Sequence, residues 1–431
     1  MRSVLLMLFL TGMCVQTAGA ADSTRVLTPE VRARKAIKQL GDEIERNARW
    51  VSRRRSFTMD GVPYGLTGVP VLYYSITSGI NYGGWIEVAD YLQRPYRYRV
   101  NVRWWLSTRG KRKNQLRTSI PNIGGDRVSV RFMTQDRRDI GTQFFGIGND
   151  TEIKADQVAL NPDFYTYHLE QQRTGIDVEY RVVGNLEVFG GLRFNRGLVS
   201  RANEARDNKD YFVFKDIGTD DELAGIGTGW SHFMVYGLIR DTRDEQEVPT
   251  SGDYFELAFL RPLKFMQPDH DFTRTTAIYT RYFSFRPSII DHGKYLLIGR
   301  VVLEKLDGEF PFYEATEVGG SVHGDNIGEA AKIRGFESRR FADRAKILCT
   351  VELRRFIAAR RIRRQFIQAQ VIGFTDFGRV APKIRDLEFK DYHYGGGTGI
   401  KFTWNSQLSL RTDIAFSREG WQWYLDMGHI F

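Results

Sequence analysis

Neighbouring side chains in a β-strand point to opposite faces, so a sequence that alternates for ten residues declares both its conformation and its two environments. Residues 96–107 read YRYRVNVRWWLS. Tyr96, Tyr98, Val100, Val102, Trp104 and Leu106 share one face, Arg97, Arg99, Asn101, Arg103 and Ser107 the other, and Trp105 alone breaks the order. Val128, Val130 and Phe132 alternate in the same way with Arg127, Ser129 and Arg131. So do Ile176, Val178, Tyr180 and Val182 with Asp177, Glu179 and Arg181, and Ile400, Phe402 and Trp404 with Lys401, Thr403 and Asn405. Leu408, Leu410, Ile414 and Phe416 oppose Gln407, Ser409, Arg411 and Asp413. About fifteen such segments lie between Gly65 and Phe431, many of about ten residues, the length of a tilted membrane strand.

A soluble β-sandwich also alternates. It has no reason to line its second face with arginine and glutamate, and it seldom needs so many strands in one series. Aromatic residues are abundant, with 29 Phe, 20 Tyr and 8 Trp. The expected class is therefore all-β, a transmembrane antiparallel β-barrel in the bacterial outer membrane with outer-membrane lipid against its apolar face. The last residues, WQWYLDMGHIF, put Trp421, Trp423, Leu425, Met427, His429 and Phe431 on one face. A final strand ending in phenylalanine resembles the C-terminal signature of bacterial outer-membrane barrels. The net charge is +10, but the arginines are dispersed through the alternating segments. Nucleic acid is not expected as a partner; arginine facing a wet interior or anionic headgroups is the simpler reading.

Three regions are expected. Residues 1–20 read as a signal peptide, with Arg2 before the apolar run 4–15 and Ala18-Gly19-Ala20 as the cleavage pattern. Its removal would take Cys14 and leave Cys349 alone, so no disulfide framework is expected. Residues 21–64 read as a short periplasmic helical segment. Ile37, Leu40, Ile44 and Val51 recur at helical spacing, Thr28 is a plausible cap, and Pro29 suits the first helical position. Residues 65–431 are the barrel. Tight turns are expected near Asn185 and Asp291, and long outer loops over 137–162, 200–227 and 306–344. Residues 241–254 read as a salt-bridged turn of Asp241, Arg243, Asp244, Pro249 and Gly252.

No enzyme chemistry is legible, and no catalytic residue, metal or cofactor is expected. The seven histidines lack metal spacing, GGGTGI at 395–400 lacks the Lys-Ser/Thr of a phosphate loop, and no G-x-S-x-G occurs. The acids Asp220, Asp221 and Glu222 read as a solvated outer loop.

Residues 330–345, AAKIRGFESRRFADRA, are polar and hold Ile333, Arg334, Gly335 and Phe336. The strand KILCTVELRRF follows, then GFTDFG with Phe374, Asp376 and Gly378. This pairing resembles the BamA/TamA/FhaC-like outer-membrane assembly-factor superfamily, whose sixth outer loop carries V/L/I-R-G-F/Y and whose next strands carry F-x-D-x-G. Residues 145–150, 241–252 and 396–400 also look like segments of these barrels. The resemblance covers about residues 65–431. It implies a barrel of about 16 strands whose sixth loop folds back into the lumen. Arg334 would then reach an acid on the inner wall. Asp376 has the right parity, and Glu352, inward with Thr350 and Arg354, is the other candidate. Gly335 would allow a tight backbone and Phe336 would wedge against the wall. Members carry periplasmic POTRA repeats ahead of the barrel, for which Ala21 to about Gly65 has no room. The resemblance implies protein insertion or polypeptide translocation, with client polypeptides or periplasmic chaperones as partners. A passive pore, or a structural surface-antigen barrel without clients, stays open.

Overall fold

The structure is a computed structural model that describes residues 55–59, 62–75, 78–89, 98–123, 127–205, 207–214, 223–244, 249–285, 294–321, 329–330, 332–362, 365–404 and 408–427. The signal peptide, the helical segment over 28–54, the acids 220–222, the turn near Asp291 and the terminal Phe431 lie outside the described residues.

The chain divides into two units, Met1–Leu116 and Arg117–Phe431. In the first, β1 (Arg55–Met59), β2 (Val62–Ser75), β3 (Gly79–Ala89) and β4 (Arg99–Ser107) pair in succession, all antiparallel. Strand β5 (Arg112–Ile123) runs across the division. The second unit contains β6 (Val128–Gln143), α1 (Ala155–Leu160), β7 (Thr166–Val183), β8 (Leu186–Arg201), β9 (Gly227–Asp241), β10 (Gly252–Pro262) and β11 (Phe272–Phe285). It continues through β12 (Tyr295–Gly308), the two-residue strands β13 (Glu317–Val318) and β14 (Glu329–Ala330), and β15 (Ala345–Ile362). Strands β16 (Gln365–Ala381), β17 (His393–Trp404), β18 (Leu408–Ser417) and β19 (Gly420–Met427) complete it. From β6 to β12, and from β15 to β19, each strand pairs antiparallel with the next; β12 pairs with β15, and β13 with β14 in the connection between them.

On several strands burial is the reverse of a soluble protein, although β9 to β12 also turn apolar residues such as Phe233, Val235, Ile278 and Ile298 inward. On β7, Asp177 and Glu179 are 0% and 1% exposed, whereas Ile176, Val178 and Tyr180 are 40%, 48% and 42% exposed. On β18, Arg411 and Asp413 are buried while Ile414 and Phe416 face outward. The apolar face needs no water-excluding partner from this chain because lipid supplies one. The charged face is paired inside: Arg193 grips Asp177 with two bonds of 2.5 and 2.7 Å, and Arg131 reaches Glu179 at 2.6 Å.

Connections alternate in length. Strands β7 and β8 meet through Gly184 and Asn185, with Gly184 at φ +54°. Between β9 and β10, Arg243 holds Asp241 with two bonds of 2.8 and 2.7 Å, and Asp244 accepts the Thr250 and Ser251 amides. At the other end lie the long connections 144–165, 202–226 and 309–344. Two boundaries expected from the sequence are corrected. Strands begin at Arg55 rather than Gly65, and β6 runs on to Gln143 although a loop was expected from 137. Arg137, Arg138 and Asp139 spoil the alternation there, yet their backbones still pair with β7, with a register shift between Asp139 and Thr142. A strand clear of the hydrocarbon no longer needs one apolar face, so its pattern fades before its hydrogen bonds do.

Candidate functional site

The connection 309–344 between β12 and β15 is bound to the inner wall along both of its legs. The second leg holds the IRGF stretch. Arg334 grips Asp376 on β16 side-on, Nε to Oδ2 at 2.6 Å and an Nη2 bond to Oδ1 at 2.8 Å, while its backbone N–H donates to the same carboxylate at 3.0 Å. Its remaining nitrogen donates to Glu352 on β15 at 2.9 Å and to Asp413 on β18 at 3.0 Å. The guanidinium lies 3.6 Å above the Phe374 ring. Arg411 binds both Asp413 and Glu352 at 2.8 Å, and Arg354 binds Glu352 at 2.6 Å. Three guanidinium groups thus meet three carboxylates in a buried cluster. A rigid fork with five N–H donors can serve three acids at once, which an ammonium group does less well.

The backbone around Arg334 is shaped by missing side chains. Gly335 adopts φ +100°, and a Cβ there would stand 2.7 Å from the Phe416 carbonyl group. Gly395 on β17 faces the loop, and a Cβ there would come within 1.8 Å of the Arg334 carbonyl oxygen. The loop therefore lies backbone against backbone on its wall. Gly335 donates to the Tyr424 hydroxyl at 2.9 Å and accepts from Ser417 at 2.7 Å. Phe336 is buried with Ile333, Phe341 and Val380, and Phe341 stacks on His393 at 3.8 Å between ring centres. Arg340 adds two bonds to Glu419, of 3.1 and 3.0 Å, and one to Thr151 Oγ1 at 2.6 Å.

The first leg reverses the signs. Glu314 receives Arg274 of β11 at 2.7 Å and Arg173 of β7 at 3.2 Å. Glu317 receives Arg173, Arg137 of β6 at 2.9 Å and Arg339 of the loop itself at 2.8 Å. Lys346 pairs with Glu304 at 2.9 Å and donates to the carbonyls of Ala315 and Glu317 at 2.8 and 2.6 Å. Burial alone would raise the Glu317 carboxyl; Arg173, Arg339 and Arg137 outweigh it and hold the group well below the usual carboxylate range. Phe312 packs on Phe144 at 4.7 Å and on Tyr167 at 5.1 Å between ring centres, rooting this leg among aromatic rings.

Of the residues singled out in the sequence, Arg334, Asp376 and Glu352 are in direct contact, and Gly335 and Phe336 lie where the loop meets the wall. Asp413, Arg411 and Arg354 were not singled out, although all three stand on the polar face of alternating strands. Glu314, Glu317, Arg137, Arg173 and Arg274 carry no local motif and were missed. Among the described residues, no group of His, Cys, Asp and Glu side chains is placed to hold a metal ion. The site's chemistry is that of fastening.

A strand series with lipid-facing apolar side chains and an inward loop held by buried ion pairs defines an outer-membrane β-barrel with an occupied interior. Residues 98–431 match the family model described as the Omp85 superfamily domain, and the chain belongs to that superfamily. No curated protein matches the sequence significantly. Among solved structures, the chain is similar to CdiB from Escherichia coli, with 10% identity over 91% of this chain and 70% of that one, at a TM-score of 0.51. It also aligns with BamA from Haemophilus ducreyi lacking POTRA domains 1–3, with 13% identity over 92% of this chain and 78% of that one, at a TM-score of 0.47. The likeness to CdiB is one of fold. The protein is an antiparallel outer-membrane β-barrel of the Omp85 superfamily, with sixteen strands of eight residues or more, β2–β12 and β15–β19, among the described residues.

Proposed function

We propose that this barrel handles polypeptides at the outer membrane, inserting membrane proteins or moving chains across, and that the connection 309–344 is its internal stopper. The cluster of Arg334 with Asp376, Glu352 and Asp413 carries the reading. A loop fastened by a buried guanidinium, with Gly335 and Phe336 seating it, suits an interior kept closed until a client arrives. It suits a wide passive pore poorly. In this reading, residues 1–20 direct export, residues 21–54 work on the periplasmic side, and no catalytic group takes part.

The test uses the purified full-length protein in lipid vesicles. An unfolded outer-membrane protein held by a periplasmic chaperone is added, and its folding is followed by the difference in gel migration between boiled and unboiled samples. Faster client folding than in empty vesicles is expected, with only small, flickering conductance in planar bilayers. Large, steady, ohmic channels with no effect on the client would overturn the reading in favour of a pore.

A further inference from the structure

The loop's first leg presents two carboxylates to arginines that belong to distant strands. Arg137, Arg173 and Arg274 sit on β6, β7 and β11, and they converge because Glu314 and Glu317 stand between them. Arg173 bonds to both carboxylates and Arg274 to one. Of the wall's own acids here, Glu304 is already engaged by Lys346 at 2.9 Å and by the Gly319 amide at 2.7 Å, and Asp139 on β6 adds its charge beside Arg137 and Arg339. Two further donors flank the arginines. The Gln171 side chain accepts from Arg137 at 2.6 Å, while its Nε2 and the Tyr167 hydroxyl are buried without a hydrogen-bond partner. A wall that gathers three guanidinium groups, an amide and a phenol is built to receive anions, and planar forks favour carboxylates.

We propose that Glu314 and Glu317 are the built-in occupants of a carboxylate-binding site on the inner wall, and that an acidic polypeptide segment takes this site when the first leg leaves it. The proposal rests on the reading that the loop moves when the barrel works. The two carboxylates are Glu-x-x-Glu on a short turn, so a flexible peptide with several glutamates reproduces their charge. Tethering gives the loop an effective concentration in the millimolar range, so a free peptide competes only if it offers several acids. The site has the opposite preference from the Arg334 cluster, whose wall offers carboxylates.

The probe is a fluorescent peptide of alternating glutamate and serine, titrated at constant ionic strength into the folded full-length barrel without client. Weak, saturable binding is expected, together with faster hydrogen exchange over 309–321 and around Arg339, which bonds to Glu317, and unchanged exchange over 333–336. In a Glu314→Gln, Glu317→Gln double variant the peptide binds about tenfold more tightly, because the tethered competitor has lost its charge. Arg173→Gln loses the binding; if that variant does not fold, Arg173→Lys, which keeps the charge without the fork, should weaken it. Equal affinity in the double variant and the parent would overturn the proposal. Equal binding of a glutamine peptide, or full affinity in the Arg173 variants, would do the same. Because no client is present, these outcomes do not depend on insertion or translocation activity.

Discussion

The two legs of one loop are fastened by opposite charges. At Arg334 the loop supplies the cation, and strands β15, β16 and β18 supply the acids. At Glu314 and Glu317 the loop supplies the acids, and β6, β7 and β11 supply the cations. The asymmetry follows from hydrogen-bond inventories. A guanidinium donates in several directions, so one residue engages a whole acidic wall. An ionised carboxylate only accepts, and its stabilisation here takes several arginines from far apart in the sequence. The acids that Arg334 meets lie between residues 352 and 413, whereas the wall arginines that Glu314 and Glu317 meet are spread from 137 to 274.

The largest expected effect comes from Arg334→Ala. It takes from Asp376 its guanidinium and leaves Glu352 and Asp413 to Arg354 and Arg411, and breaking a buried pair typically costs about 3–5 kcal/mol. Limited proteolysis with trypsin should accelerate between Lys332 and Arg344 while β15 stays protected. Arg334→Lys should rescue little, and full rescue would show that charge alone holds this leg. Glu317→Gln comes next, at about 1–3 kcal/mol, because Glu314 still engages Arg173 and Arg274. Hydrogen exchange should rise over 309–321 and near Arg339, and remain unchanged over 333–336 around Arg334. Coordinated loosening of both legs would collapse the comparison into a single fastening.

Double-mutant cycles read a finer difference. Arg334→Ala and Asp376→Ala should be strongly non-additive in their effect on loop cleavage, whereas Arg334→Ala and Glu317→Gln should add within about 0.5 kcal/mol. The smallest effect concerns acid. Glu317 is depressed in the folded state, so its contribution is complete above the ordinary carboxylate pKa and is lost progressively as pH falls from there through the depressed value. Exchange over 309–321, corrected for its intrinsic pH dependence, should therefore be unchanged from pH 7 to about pH 5.

The same contrast explains what the sequence made legible. Period-two alternation reports a strand wherever one face meets lipid, so β4, β7 and β18 are readable from the order of residues alone. It fails at Arg137–Asp139, where the strand has left the hydrocarbon and both faces are polar. The Arg334 leg is legible through its resemblance to the superfamily's short loop motif, an arginine, a glycine and an aromatic in a row, which is recognisable because it is local. Asp413 shared the right face but had no motif to single it out. Glu314 and Glu317 read as ordinary loop acids, since nothing near them in sequence indicates that residues 137, 173 and 274 will meet there. Such convergence is a property of the curled sheet of the second unit.

Gly395 places part of the recognition in atoms that are not there. Most binding surfaces are probed by truncation, which asks what is lost when a side chain is cut back to alanine. Here the informative change is one methyl group larger: a Cβ on Gly395 meets the Arg334 carbonyl oxygen, and a Cβ on Gly335 meets the Phe416 carbonyl group from the other side. An alanine scan would therefore add bulk at these positions and report a wedge, while every ion pair of the cluster kept its chemistry. The fit between loop and wall is written as a permitted distance between two main chains, and it is vulnerable to growth where the charged cluster is vulnerable to loss.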